Sequence, residues 1–137
     1  MISNKLIEEA IKARENSYAP YSSYNVGAAL LCSDGTVFTG TNIENASYGA
    51  TICAERSAVF AAVSAGRRDF TAIAIVGGPS DNRQSDYAYP CGMCRQVLRE
   101  FVNPSKFKVI VARSADDHRE YTLDELLPNS FGPDNLE

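Results

Sequence analysis

The chain has 137 residues, 45 % of them hydrophobic, enough for one domain over residues 1–137 with its own core, since below about 40 residues extra staples are usually needed. A formal net charge of -4 and a pI of about 5.0 argue against the broad positive surface that phosphate backbones demand, so no nucleic-acid partner is expected. No apolar stretch approaches the roughly 20 residues that cross a bilayer, and Met1-Ile2-Ser3-Asn4-Lys5 lacks the basic start and apolar run of a signal peptide, so the expected place is the cytoplasm, off the membrane.

In chain order, Ser3 or Asn4 is placed to cap a helix in which Leu6, Ile7, Ala10 and Ile11 recur at helical spacing, running to about Asn16. Tyr18-Ala19-Pro20-Tyr21-Ser22-Ser23-Tyr24 is a Pro-broken aromatic loop. Val26-Gly27-Ala28-Ala29-Leu30-Leu31-Cys32 reads as a buried strand, turned at Ser33-Asp34-Gly35 into a returning strand at residues 37–41. Residues 42–52 are expected as loop. Residues 53–65 form a nearly all-apolar helix stopped by Gly66, a left-handed cap. Residues 71–76 follow as a buried strand, and residues 77–89 as a polar loop of the length that carries function. A helix from about Cys91 spans Val97, Leu98 and Phe101 before Pro104; a strand at residues 107–112, a shorter one at Tyr121-Thr122, and a short helix at residues 123–127 complete the order. Helix, hairpin, helix, strand, helix, strand implies an α/β fold, a three-layer sandwich with helices on both faces of a mixed, about five-stranded sheet.

The four cysteines direct attention to metal or redox chemistry, because an intracellular Cys-x-x-Cys pair is seldom a structural disulfide. Cys91 and Cys94 open a predicted helix, where both sulfurs face one point and the helix dipole favours thiolate. Cys53 opens another, and brought alongside it would complete three thiolates suited to zinc at about 2.3 Å. Three protein ligands leave a fourth position for water, whose acidity a catalytic zinc raises. Glu55, two residues after Cys53, is placed to carry protons without ligating, and Arg56 to offset the negative charge of three thiolates. The residues alone leave other readings open: a redox pair at Cys91 and Cys94, a structural zinc with Cys32 as fourth ligand, or Glu55 and Arg56 as a solvated helix face. Cys32 ends an apolar strand and reads as core; His118, among Asp116, Asp117, Arg119 and Glu120, reads as exposed and without a catalytic role.

Cys53-Ala54-Glu55-Arg56 followed by Pro90-Cys91-Gly92-Met93-Cys94-Arg95-Gln96 resembles the signature of the small zinc-dependent cytidine deaminases, with Cys53 where other zinc deaminases carry His. Tyr18-Ala19-Pro20-Tyr21-Ser22, Val26-Gly27-Ala28-Ala29-Leu30, Asn42-Ile43-Glu44-Asn45-Ala46, Glu125-Leu126-Leu127-Pro128 and Phe131-Gly132-Pro133 extend the likeness over nearly the whole chain. The resemblance implies hydrolytic deamination of free cytidine and deoxycytidine, as in pyrimidine salvage, with one zinc per chain and no organic cofactor. It implies Asn42 and Glu44 on the ribose hydroxyls, Glu55 and the Ala54 backbone on the base edge, and Tyr24 stacked on the ring. It further implies a homotetramer in which Tyr48 and Phe131 reach a neighbouring chain's site. Tyr24 stands where the family usually has phenylalanine, and Met93 where it has a smaller residue. Rival readings are a deaminase of a nucleoside-like antibiotic, a deaminase of cytosine in polynucleotide, and a zinc-stabilised binding module.

Overall fold

The three apolar runs become the middle strands of one sheet. In the computed structural model, which describes residues 2–81 and 85–136, β1 spans Tyr24–Cys32, β2 Val37–Thr41, β3 Phe70–Pro79, β4 Lys108–Ser114 and β5 Asp117–Thr122. Their order is β2-β1-β3-β4-β5. The pairing is antiparallel everywhere except between β3 and β4, which makes the sheet mixed, as expected.

Side chains alternate across a strand, so each middle strand feeds two cores. Ala28, Leu30, Ile73, Ile75, Val109 and Val111 lie in one, together with residues of α2 (Ala54–Ser64), α3 (Gly92–Phe101) and α4 (Leu123–Leu126). Ala29, Ala72, Ala74, Val76, Ile110 and Ala112 lie in the other, with Leu6, Ile7 and Ala10 of α1 (Ile2–Arg14). The three-layer sandwich follows. Burial on both faces explains why β3 reads as an unbroken apolar run.

Two glycines serve this packing. Gly66 takes φ 90°, and the Gly66 and Arg67 amides donate to the Val63 and Ala62 carbonyls, the paired bonds of a left-handed helix stop. A Cβ on Gly40 would come within 2.4 Å of the Ala58 nitrogen and 2.5 Å of the Ala54 oxygen, so only glycine lets α2 lie this close to β2.

Several boundaries differ from expectation. α1 ends at Arg14 rather than Asn16, because residues 15 and 16 close shorter turns onto the Lys12 and Ala13 carbonyls. Ser3 and Asn4 lie within its first turn instead of capping it, and the Ser3 hydroxyl donates to Glu120 at 3.3 Å. β3 continues to Pro79 because Gly77, Gly78 and Pro79 pair with Val26, Asn25 and Tyr24, which shortens the following loop. β5 starts at Asp117 rather than Tyr121. Its polar sequence shows no alternation, and its ladder to β4 uses backbone groups that any sequence supplies. His118 is therefore on a strand and half-buried, not exposed; its Nδ1 lies 3.1 Å from the Ala115 carbonyl and its Nε2 3.5 Å from Glu120.

Candidate active site

The two cysteine-bearing segments meet because α2 and α3 lie on the same face of the sheet with their first residues together. Cys53 and Cys91 are the N-cap residues of the two helices, and neither side chain caps its own helix, so both sulfurs are available as ligands. Cys94 lies in the first turn of α3. Cys53 Sγ and Cys91 Sγ are 3.7 Å apart, Cys91 Sγ and Cys94 Sγ 3.4 Å, and all three sulfurs fall within 4.8 Å of one another. Ligands about 2.3 Å from a tetrahedral zinc stand about 3.8 Å apart, so this soft, three-sulfur set fits zinc with little adjustment.

The surroundings favour thiolate. Cys53 is lowered to about 5, chiefly through the hydrogen bond from the Cys94 thiol, with Arg56 adding to it. The same bond to Cys53, and burial, push Cys94 up. The Arg56 Nη2 donates to Cys53 Sγ at 3.4 Å, and the Arg56 Nε is buried with no partner among the described residues, a spare donor beside a site meant to gather negative charge. Cys32 is buried in the core, its thiol raised by burial, and is no member of the sulfur cluster.

Glu55 is 5 % exposed, on the first turn of α2 beside the sulfurs. Burial raises its carboxyl to about 7, the range near working pH that general acid–base chemistry asks for. Glu55 and Arg56 are thus not a solvated helix face.

A cavity of about 440 Å³ opens above Glu55 and Cys53, lined also by Tyr24, Asn42, Glu44 and Ala54. The Asn42 Oδ1 accepts from the Val26 amide at 2.9 Å and from the Ser17 hydroxyl, and its Nδ2 donates to the Tyr24 carbonyl at 2.7 Å. The Glu44 Oε1 accepts from the Tyr21 and Ser22 amides at 2.9 and 3.0 Å and its Oε2 from the Ser22 hydroxyl; that hydroxyl above all holds the carboxyl below its usual range. Both side chains so pin the aromatic loop while facing the cavity. The Tyr24 hydroxyl finds its partner in Asp86, donating at 3.2 Å.

Two expected residues stand apart. Tyr48 and Phe131 are 76 % and 58 % exposed and do not line the cavity; the Tyr48 ring packs edge-on against Tyr21, and the Phe131 carbonyl accepts from Gln96 at 2.9 Å. Met93, at 65 %, faces out as well. Sequence reasoning missed Ser22 and the run Tyr87-Ala88-Tyr89, which also line the cavity. The run's position just before Pro90-Cys91 was the available signal. Nor does local pattern give Arg95 a role, although its guanidinium donates to the Pro90 carbonyl at 2.7 Å and the Leu126 carbonyl at 2.6 Å, fixing the approach to Cys91. A second hollow, of about 640 Å³ between α1 and the adjoining ends of β1 and β2, holds no metal-ligating cluster among the described residues.

Three convergent thiols beside a buried carboxyl suit metal-assisted hydrolysis. Residues 2–111 match the cytidine and deoxycytidylate deaminase zinc-binding region. The chain is 51 % identical to a cytidine deaminase of Halalkalibacterium halodurans, over 96 % of this chain and 95 % of that one. It is 48 % identical to a cytidine deaminase of Sporosarcina psychrophila, over 96 % and 93 %. Among solved structures it superposes on a cytidine deaminase from Burkholderia pseudomallei with a TM-score of 0.83 at 47 % identity, covering 93 % of this chain and 97 % of the other. The chain belongs to the cytidine and deoxycytidylate deaminase zinc-binding family.

Proposed function

We propose that residues 1–137 act as one catalytic domain that converts cytidine and deoxycytidine, with water, to uridine and deoxyuridine plus ammonia. The observation that carries this reading is the convergence of Cys53, Cys91 and Cys94 beside the buried Glu55 at the floor of one cavity; the relatives named cytidine deaminase support it over nearly the full chain. Cys53, Cys91 and Cys94 hold one zinc, which supplies Lewis acidity that eases ionisation of water near neutral pH.

The chain's own residues do the rest. Glu55 takes a proton from the attacking water, whose oxygen bonds to the ring carbon bearing the amine. It passes that proton to the ring nitrogen, then takes the remaining proton from the new hydroxyl, whose oxygen becomes the carbonyl, and gives it to the amine, so that the carbon–nitrogen bond breaks and ammonia leaves. Arg56 offsets the thiolate charge. The Ala54 backbone and Glu55 read the base edge, Tyr24 stacks on the ring, and Asn42 and Glu44 hydrogen-bond the ribose hydroxyls. A carboxylate beside the sugar repels phosphate, which favours free nucleosides over nucleotides and DNA.

The exposed Tyr48 and Phe131 serve neighbouring sites in a homotetramer. The enzyme works in the cytoplasm, in pyrimidine salvage, where reducing conditions keep three thiols free to ligate. No described helix is long and apolar enough to cross a membrane.

The test follows the fall in ultraviolet absorbance on adding cytidine, cytidine monophosphate or single-stranded DNA to purified protein, with zinc per chain measured on the same sample. Turnover of cytidine alone with about one zinc per chain is expected. Zinc without turnover would move the assignment to an antibiotic deaminase or a binding module.

A further inference from the structure

One wall of the cavity is the run Tyr87-Ala88-Tyr89, which leads through Pro90 into Cys91, and its two rings are gripped from outside by β5. The Arg119 guanidinium carbon lies 4.1 Å from the centre of the Tyr87 ring, cation over aromatic face, and its Nη1 donates to the Tyr89 hydroxyl at 3.4 Å. That hydroxyl is 2.8 Å from the Tyr121 hydroxyl, and the two rings pack with centroids 5.7 Å apart. The Tyr87 hydroxyl donates to Asp117, and Arg113 stands 5.5 Å from the Tyr87 ring centre. Every residue of β5 in this set is on an edge strand, and Arg119 and Tyr121 do not line the cavity.

This arrangement is more than surface decoration. The loop is tied at its far end too, by the Asp86 amide to the Gly77 carbonyl at 2.7 Å and by Arg14 to Ser85 at 3.0 Å. Between those ties and Pro90 the wall is held by the packing of Tyr87 and Ala88 on the core and by the contacts of its two tyrosine rings, and Arg119 is the one described residue whose guanidinium engages both rings. The run shares the cavity with Cys53, Cys91 and Glu55, so its position bears on the width left for the reacting base.

We propose that Arg119, seconded by Tyr121, is a positioning residue that holds the Tyr87-Ala88-Tyr89 wall against the substrate's base and so sets substrate affinity without touching substrate. The proposal rests on the deaminase reading above. It assigns Arg119 an effect on binding and none on zinc or on proton transfer, because Cys91, Cys94 and Glu55 are held by α2, α3 and Arg95 instead.

Arg119→Met, Arg119→Lys and Tyr121→Phe are compared with the wild-type holoenzyme for KM and kcat on cytidine, for uridine binding by calorimetry and for zinc per chain. Arg119→Met should raise KM and the uridine Kd about five- to tenfold, the loss of a cation–aromatic contact and a hydrogen bond. Its kcat should stay within about twofold and its zinc content unchanged. Arg119→Lys keeps a cation over Tyr87 and should recover most of the affinity, and Tyr121→Phe should give a smaller rise. Wild-type affinity in Arg119→Met, or equal damage in the Met and Lys variants with zinc lost, overturns the positioning role. If Arg119→Met does not fold, Tyr121→Phe decides: unchanged affinity counts against the clamp. Failure of the wild-type enzyme to turn over cytidine would overturn the activity, whereas the uridine Kd ratio judges the clamp independently.

Discussion

Arg56 reaches back one helical turn to Cys53, its Nη2 3.4 Å from the sulfur, while its Nε remains buried and unpartnered among the described residues. Three thiolates on a divalent cation carry a net negative charge that weakens a Lewis acid, and a guanidinium bonded to one sulfur draws part of it away. Arg56→Ala should lower kcat or zinc affinity by about tenfold to a hundredfold, measured by steady-state kinetics alongside competitive chelation. Lysine keeps the charge but not the planar fork and should restore only part. Unchanged kinetics and chelation in Arg56→Ala would mean the sulfurs do not depend on it.

Glu55→Gln should keep zinc and fold while losing at least about a hundredfold in kcat, the usual scale of a lost proton carrier. The same substitution has a signature in the zinc-free protein. Burial raises the Glu55 carboxyl from 4.5 to about 7, so the native state binds that proton more tightly than the unfolded chain. The corresponding stability is present below 4.5 and is lost as pH rises through about 7. Glutamine does not titrate, so the advantage of Glu55→Gln in urea unfolding should grow by on the order of 3 kcal/mol between about pH 4 and pH 8. An advantage that does not change with pH would show that the carboxyl is hydrated.

The sulfurs should separate by chemistry. In metal-stripped protein at neutral pH, Cys53, lowered to about 5, should be alkylated by iodoacetamide before Cys32 and Cys94, which burial and, for Cys94, the bond to Cys53 raise. Mass mapping of the modified peptides reads the order. Zinc should protect Cys53, and Cys53→Ala should lose the metal, whereas Cys32→Ser should keep it and lose about 1–3 kcal/mol of stability by placing an unpaired hydroxyl in the core. Loss of zinc from Cys32→Ser would restore it as a ligand.

Gly40→Ala should destabilise by about 1–3 kcal/mol, because its Cβ would come within 2.4 Å of the α2 backbone. Since Cys53 and Glu55 ride on the start of that helix, zinc affinity should fall with thermal stability. Wild-type stability would mean that α2 shifts freely over β2.

Much of the chain could be read from local rules. The β1–β2 hairpin followed from Asp34-Gly35 between apolar runs, the end of α2 from Gly66, and β3 and β4 from β-branched and alanine-rich runs that only a doubly covered sheet can bury. Cys91 and Cys94 share a site by helical spacing alone. Arg95 and Ser22 stood in the family-like segments without a role, because their partners, Pro90, Leu126 and Glu44, are backbone carbonyls or residues distant in sequence, and no residue type announces those.

Composition, periodicity and turn chemistry are local, and they pointed to the sandwich, the metal-ligating residue types and Glu55 as the candidate proton carrier. What only the tertiary structure decided is who meets whom across long separations. Cys53 joins Cys91 because α2 and α3 pack on one face of the sheet with their N-termini together. The strand at Asp117–Thr122 exists because β4 offers it an unpaired edge, and from there Arg119 reaches the rings of Tyr87 and Tyr89. Those contacts form only after chain ends far apart in sequence are brought together, at an entropic cost that the buried apolar cores offset.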